Sequence, residues 1–566
     1  MKTPSRRIGG GLALAIVVVV ASTFLAATGA AAPNRAATAK NAAGTSAQSV
    51  LTVLSGPTGP YVAGMSPFSS SDSPATEGVT SLVYEPLIMF NAANTKVIKP
   101  WLASKYTWSS NGKKLTFTIP SGRTWSDGKP LTAADVAFTF NLIKKHAALN
   151  LNGIEFTGAS APTPTTAVIT FTAPAYTQLY SLAKVFIVPQ HIWSKIPNPE
   201  KYTNPSPVGS GPYLLSSSTS QALTFTKNPK YWQPGLPKVT TVRVPNYTSQ
   251  TTALNALSAG QLDWSTLFIA DPSKQWTGKD TANNKLWLAP VGDWYLCPNN
   301  AVKPFNNAAV RKALSLSIDR AKTISQIEGG YYAPSASPTG LRAGQEQYLP
   351  AAFKGKTLSY NPAQARKDLL AAGFKGGSSG TLTQPDGSPF KVSLLLPSDY
   401  TDWMSLGQVF VNQMKAAGID ASLQGTSVNS WTSDVTNGNY QLSFCGVWAT
   451  DGPYTTFNSL LASSAGAPVG KPAISNVSRF SSPKVDSLLA QYRRSGNVAV
   501  QRKAIAGIAT IIGQQAPIIP LMSVTSFGAY TTKRFTGWPS AANPYQTDGI
   551  LNPYSEDVIL HLKPAA

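Results

Sequence analysis

"KVSLLLPSDYTDWMSLGQVFVNQMKAAGIDASLQGT" (residues 391–426) reads as strand, helix, strand. "KVSLLLPS" is apolar and β-prone, "DWMSLGQVFVNQMKAAG" (402–418) carries an amphipathic helical period closed by Gly418, and "IDASLQGT" returns as a second strand. Two strands joined through a helix make a βαβ unit, whose crossover is right-handed and whose ligands sit beyond the carboxyl ends of the parallel strands. The fold class is therefore α/β, and "SDYTDW", the segment after the first strand, is well placed for a site.

Neighbouring segments follow the same grammar. "YNPAQARKDLLAAGF" (360–374) starts a helix with Asn361 as cap and Pro362 at its first position, and stops at Gly373. "NNAAVRKALSLSIDR" (306–320) reads as one capped helix with Val310, Leu314 and Ile318 aligned. In "PSGRTWSDGKPLTAADVAFTFNLIKKH" (120–146), Asp127-Gly128 suits a tight turn after the strand "KKLTFTIP", and Thr132 with Asp135 forms a capping box. Val136, Phe140 and Ile143 then share one helical face. No repeat of fixed period occurs.

The 566 residues allow two to four domains at roughly 150 residues each. Only 13% are charged, so the surface relies on Ser, Thr, Asn and Gln. Residues 1–32 form an export signal: Lys2, Arg6 and Arg7 are the basic start, "GLALAIVVVVASTFLAA" the apolar run, and "TGAAA" offers small residues for cleavage. Cleavage is expected rather than retention as an anchor, by the general secretory route, because Gly9 and Gly10 replace the apolar bulk a twin-arginine signal prefers. Residues 33–49 lack periodicity and read as a flexible tether. Without the three signal-region cations the formal charge falls from +22 to about +19. The cations are scattered and no nucleic-acid motif is present, so the charge points to solubility and the envelope surface, not to nucleic acid.

Cys297 and Cys445 lie in strand-like segments of a chain bound for an oxidising compartment; they form one disulfide if those strands are neighbours, and otherwise stand as two buried thiols. His146, His191 and His561 show neither zinc spacing nor triad context, and G-x-S-x-G and H-E-x-x-H motifs are absent, so neither a metal site, a cofactor nor catalysis is expected. A glycosidase would need only two carboxylates, which sequence alone leaves open.

"LVYEPLIMF", "KPWLASKYTWSSNGKKLTFTIPSGRTWSDGKPLTAADVAFTF", "PVGSGPYLL", "KNPKYW", "ALSAGQLD", "PFNNAAVRKALSLSIDR", "YNPAQARKDLLAAGF" and "APIIPLMSVTSFGAY" occur in the order seen in extracellular solute-binding protein family 5, which the chain resembles from about residue 50 to its end. The resemblance implies the dipeptide- or oligopeptide-binding component of an ABC importer. It implies a two-lobed periplasmic-binding-protein fold, type II-like, with the extra small domain of the peptide-binding subgroup. Lobe I is then 50–75 with 206–292 and 526–566, the small domain 76–205, and lobe II 293–525. The ligand lies in the cleft between lobes, which close by a hinge motion.

In "FCGVWATDGPYTTF", Trp448 and Asp451 match a Trp-x-x-Asp pattern that in peptide-binding relatives supplies an aromatic wall and a carboxylate for the peptide ammonium. The plainer alternative is that Asp451-Gly452 only makes a turn. Trp431 resembles a second ligand-facing Trp, or is a core aromatic, and Thr401 lies near another cleft position of those relatives. "WTSDVTNGNYQLSFCGVW" holds no Lys or Arg to meet peptide carboxylates. With 13 Trp and 21 Tyr available, an oligosaccharide is thus the alternative ligand, and a metal complex a further one. The implied partners are the ligand and membrane permease subunits, for a monomeric protein. No lipobox cysteine follows the signal. A secreted hydrolase and a ligand-free envelope protein are the readings from other classes.

Overall fold

The computed structural model describes residues 49–565, apart from 59, 63, 95–96, 270, 399 and 448–451. The expected signal, the tether up to residue 48, and both Trp448 and Asp451 lie outside the described residues.

The Lys391–Pro397 and Asp420–Thr426 strands pair in parallel over their whole length, Lys391 opposite Asp420 and Pro397 opposite Thr426. Between them runs the Thr401–Ala416 helix, which buries Trp403, Leu406, Phe410, Val411 and Met414 on one stripe. Gly407 lets that helix approach the sheet, since a Cβ there would stand 2.6 Å from Leu396 Cδ1. Gly418 ends the segment in the left-handed region at φ +85°.

This unit is one end of a large mixed sheet. Its strand order is Asp420–Thr426, Lys391–Pro397, Leu442–Val447, Asn284–Pro298, Ile519–Thr531, Trp264–Ser265, Val50–Leu54, Thr241–Pro245, Ala222–Lys227, Tyr213–Ser218. The two long strands, Asn284–Pro298 and Ile519–Thr531, are antiparallel neighbours in the middle, with register shifts at Pro290/Gly292 and Trp294/Tyr295. Along them the apolar core changes over. Tyr530 belongs with Leu51, Val242 and Trp264, whereas Leu521 and Met522 belong with Leu394, Phe410 and Phe444. The chain is thus an α/β protein of two lobes sharing two strands. A further core of Tyr295, Phe457, Leu489 and Ile508 backs the opposite face of the second lobe's sheet.

A separate antiparallel sheet, ordered Lys105–Trp108, Lys114–Thr118, Thr166–Thr170, Gly158–Thr163, carries the Ala133–Lys145 helix. The capping box forms: Thr132 Oγ1 accepts from Ala134 N at 3.3 Å and Asp135 Oδ2 accepts from Thr132 N at 2.9 Å. Val136, Phe140 and Ile143 are buried, and Gly128 makes its turn at φ +91°. One expectation changes. The 306–320 segment is not one helix: it stops at Leu316, where Ser317 Oγ donates to Leu314 O, and Asp319 caps a second helix, Arg320–Ile327. Ile318 is still buried, so the apolar period continued through a break that two short polar side chains impose.

Candidate functional site

The strands Lys391–Pro397, Asp420–Thr426 and Leu442–Val447 are mutually parallel, so their carboxyl ends share one edge of the second lobe. The long strand beside them brings Asp293 opposite Val447 and Trp294 opposite Gly446. The described chain stops at Val447 on this edge and resumes at Gly452, which has φ +100° and caps the Pro453–Leu461 helix.

The other expected residues take different positions. Trp431 is half-buried; its Nε1 donates to Ser443 Oγ at 2.9 Å, and Ser443 Oγ donates to Leu395 O at 2.8 Å. Its ring meets Trp403 edge-on at 5.8 Å. The indole is therefore locked as a rigid wall whose N–H is already spent. Thr401 is exposed at the first turn of its helix, where its carbonyl accepts from Ser405 Oγ at 2.8 Å. Cys297 and Cys445 are buried on paired strands, their Cα atoms 5.9 Å apart and their sulfurs joined, so the strand feeding the site is tied to its neighbour. His146 and His191 contact the partly exposed Glu200 and Asp127, and His561 contacts the buried Asp557. Among the described residues no group of three His, Cys, Asp or Glu converges.

One feature of the edge had no signal in the sequence. Arg342 Nη1 bonds Asp293 Oδ2 at 2.9 Å, with both side chains nearly inaccessible, and Ser523 Oγ donates to Asp293 Oδ1 at 3.4 Å. Burial pushes the Asp293 carboxyl up, and Arg342 partly offsets this. The cation absent from 431–448 thus arrives on a loop 49 residues downstream of Asp293, with no motif to announce it.

Gly452 and Pro453 line a cavity of about 640 Å3 between the region of the four-stranded sheet and the second lobe. The former contributes Tyr106, Trp108, Tyr176 and Tyr180; the second lobe contributes Tyr348, Tyr454 and Tyr492. These rings support one another: Trp108 on Tyr176 at 5.1 Å, and Tyr454 stacked on Tyr492 at 4.5 Å. Tyr176 crosses to Gly496 of the second lobe, where a Cβ would stand 2.8 Å from its Cε1. Arg502 is the one charged residue of the lining. A size within a few hundred to about 1,000 Å3 suits a small organic ligand, and the aromatic rings alternate with the uncharged polar side chains of Ser109, Ser110, Gln347 and Gln501. Another cavity, of about 320 Å3, includes Phe68, Leu149, Val185 and Leu551 and touches no second-lobe residue.

The family model for bacterial extracellular solute-binding proteins, family 5 Middle, matches residues 97–468. The nickel-binding periplasmic protein of Escherichia coli (strain K12) is 27% identical over 390 residues, covering 66% of this chain and 71% of the relative. The glutathione-binding protein GsiB of the same strain is 26% identical over 495 residues, covering 84% of this chain and 89% of the relative. The periplasmic oligopeptide-binding protein of an oligopeptide ABC transporter from Thermotoga maritima superposes with a TM-score of 0.78 at 24% identity, over 91% of this chain and 99% of that one. Its mannohexaose-bound structure gives 0.67 at 25% identity, over 92% and 99%.

Proposed function

The chain belongs to the bacterial extracellular solute-binding proteins, family 5, and from that premise we propose that it is the receptor of an ABC importer, capturing peptides between its lobes and delivering them to membrane permease subunits. The observation that carries this reading is the aromatic groove between the four-stranded sheet region and the second lobe, lined by Gly452 and Pro453. A site built from two lobes that share two long strands releases its ligand when the lobes swing apart, so capture and delivery need no covalent step. The proposed division is lobe I at 50–75, 206–292 and 526–566, small domain at 76–205, and lobe II at 293–525. Asp451 is assigned the peptide ammonium and Trp448 the wall beside it. Trp431, held by Ser443, is assigned a second ligand-facing aromatic surface, and Thr401 another position of the cleft. The protein works as an exported monomer outside the cytoplasmic membrane. Among the described residues no helix is long and apolar enough to cross a membrane.

An oligosaccharide is the second reading. It is favoured by a lining with many aromatic faces and the single charge of Arg502, and by the mannohexaose held in the Thermotoga maritima structure. Native mass spectrometry of ligand co-purifying with the protein separates the two. Peptide masses support the first reading and hexose-spaced masses the second. Thermal shift against peptide and oligosaccharide pools checks the assignment, because only a bound ligand raises Tm in proportion to ln(1 + [L]/Kd).

A further inference from the structure

Arg502 stands in the wall of the 640 Å3 cavity without a partner. It is exposed, and among the described residues it makes no ion pair or hydrogen bond, and no Asp or Glu lines the cavity with it. Arg493 and Arg494 have a structural reason for their charge, since they close the Pro483–Arg494 helix and a cation suits a helix C-terminus. Arg502, near the start of the Val498–Gln515 helix, gains nothing of the kind.

Packing sets this guanidinium beside the aromatic wall. The two helices form a hairpin through the 495–497 turn and meet closely at Leu488 and Gly507, where a Cβ on Gly507 would stand 2.9 Å from Leu488 Cδ1. One helical turn from that contact toward the connection, Tyr492 comes level with the 502–503 step, and Tyr492 and Arg502 both line the cavity. Arg502 therefore borders the Tyr454–Tyr492 stack. Gly496, on which Tyr176 lies, immediately precedes the Asn497 cap of the same helix, so the two walls of the cavity touch beside the guanidinium.

A second unspent group joins it. The segment containing Phe353, which lies against Gly513, begins with the Glu346–Tyr348 turn, and that turn packs on the Val498–Gln515 helix. Gln347 of the turn lines the cavity, makes no hydrogen bond, and has a buried Oε1. A buried acceptor without a donor is costly until one reaches it. Neighbouring polar groups are already committed: Gln501 Nε2 donates to Ser495 O at 2.8 Å, and Ser109 Oγ donates to Asn111 Oδ1 at 2.8 Å.

We propose that Arg502 receives a carboxylate of the bound peptide and that Gln347 bonds the peptide unit next to it, so that this end of the cavity selects ligands carrying an acid; this rests on the peptide-receptor reading above. Water reaches Arg502 in the ligand-free protein, so its charge costs little to keep, and its planar fork matches a carboxylate with two parallel bonds. Those bonds strengthen as the ligand displaces water from between the rings. A neutral sugar would dry the same space and leave the guanidinium without a counter-ion, which disfavours it. The acid comes either from the peptide's carboxyl terminus or from an Asp or Glu side chain.

The test uses the full-length mature protein and alanine pentapeptides titrated calorimetrically at pH 8 in two series: the free acid against its C-terminal amide, and amides carrying one Glu or one Gln at each position. The expected result is a pair in which the acid binds about tenfold or more tightly, and the series that contains it identifies the source of the carboxylate. Arg502→Gln should bring that ratio below about threefold and Arg502→Lys should retain part of it, with the Tm of both ligand-free variants unchanged, as an exposed side chain without partners requires. Gln347→Leu should weaken acid and amide alike by about threefold or more, and unchanged affinities would overturn its part in the subsite. Peptides that bind with no preference for the acid, or a preference that survives Arg502→Gln, overturn the subsite and leave the peptide reading standing. No binding by any peptide, with or without binding of a neutral oligosaccharide, overturns both.

Discussion

The hydroxyl of Tyr331 holds Ile269 by both backbone polar groups, donating to its carbonyl at 2.6 Å and accepting from its N–H at 2.9 Å, so a single side chain clasps the two lobes beside their shared strands. Its ring lies between Phe268, at 4.8 Å, and Phe527, at 5.4 Å. Tyr331→Phe keeps this stacking and strips both hydrogen bonds from a buried peptide unit, a loss of about 1–3 kcal/mol. Hydrogen exchange should quicken at Ile269, and small-angle scattering of the ligand-free protein should show a larger radius of gyration. Unchanged exchange and an unchanged profile would show that the clasp does not restrain the lobes.

The Cys297–Cys445 link closes a loop with a sequence separation of 148 residues between the two middle strands of the second lobe. A loop of that length corresponds to about 4–5 kcal/mol in the chain-entropy account. Denatured, unreduced protein should titrate with essentially no free thiol, and reduction or the double Ser variant should lower Tm by several degrees or more. Two titratable thiols would remove the bridge and its share of stability.

What was legible in the sequence was local. Thr132 and Asp135 announce their capping box because both partners sit within one helical turn, and residues 391–426 reveal their βαβ unit through two changes of apolar period. The break at Ser317–Asp319 stayed hidden because Ile318 keeps the helical period across it. At the site, Trp431 could be singled out by the family resemblance, but its hydrogen bond could not, since Ser443 reaches its N–H only once the strands are assembled. Asp293 with Arg342 and Tyr331 with Ile269 are pairings across 49 and 62 residues, set by sheet register and lobe apposition. No spacing rule reaches that far.

Asp451→Asn tests the ammonium anchor by removing charge while keeping shape. Leaving a desolvated ammonium without its carboxylate costs on the order of 2–5 kcal/mol, so peptide affinity should fall by roughly thirtyfold or more. An uncharged sugar should be affected far less. Wild-type affinity for peptides in the variant would sink the anchor, and oligosaccharide binding by both forms would then favour the second reading.

Glu85 and Glu556 set a pH dependence that is independent of ligand. Both are fully buried. Glu85 accepts from Trp101 Nε1 at 2.9 Å, Tyr231 Oη at 2.9 Å and Trp232 Nε1 at 3.0 Å, whereas neither Glu556 oxygen has a partner and the Trp101 N–H beside it is committed to Glu85. Burial raises both groups, Glu85 to about 7 and Glu556 well above the carboxylate range, the latter with added repulsion from Glu85 and Asp557. Donors favour the anion, so Glu85 carries the charge and Glu556 keeps the proton. A carboxyl whose pKa is raised by folding stabilises most below its unfolded value of 4.5 and loses that contribution as pH rises through its folded value. Stability should therefore decline from about pH 5 through pH 7 and further as Glu556 ionises. Glu556→Gln replaces the protonated acid with a neutral isostere and relieves Glu85 of a neighbouring charge. Its Tm should exceed that of wild type by more at pH 9 than at pH 5, as read by thermal melts at matched ionic strength. Parallel curves across that range would mean that the two carboxyls do not share their protonation, and Glu328 or Asp548, also raised by burial, would then have to carry any slope seen in both proteins.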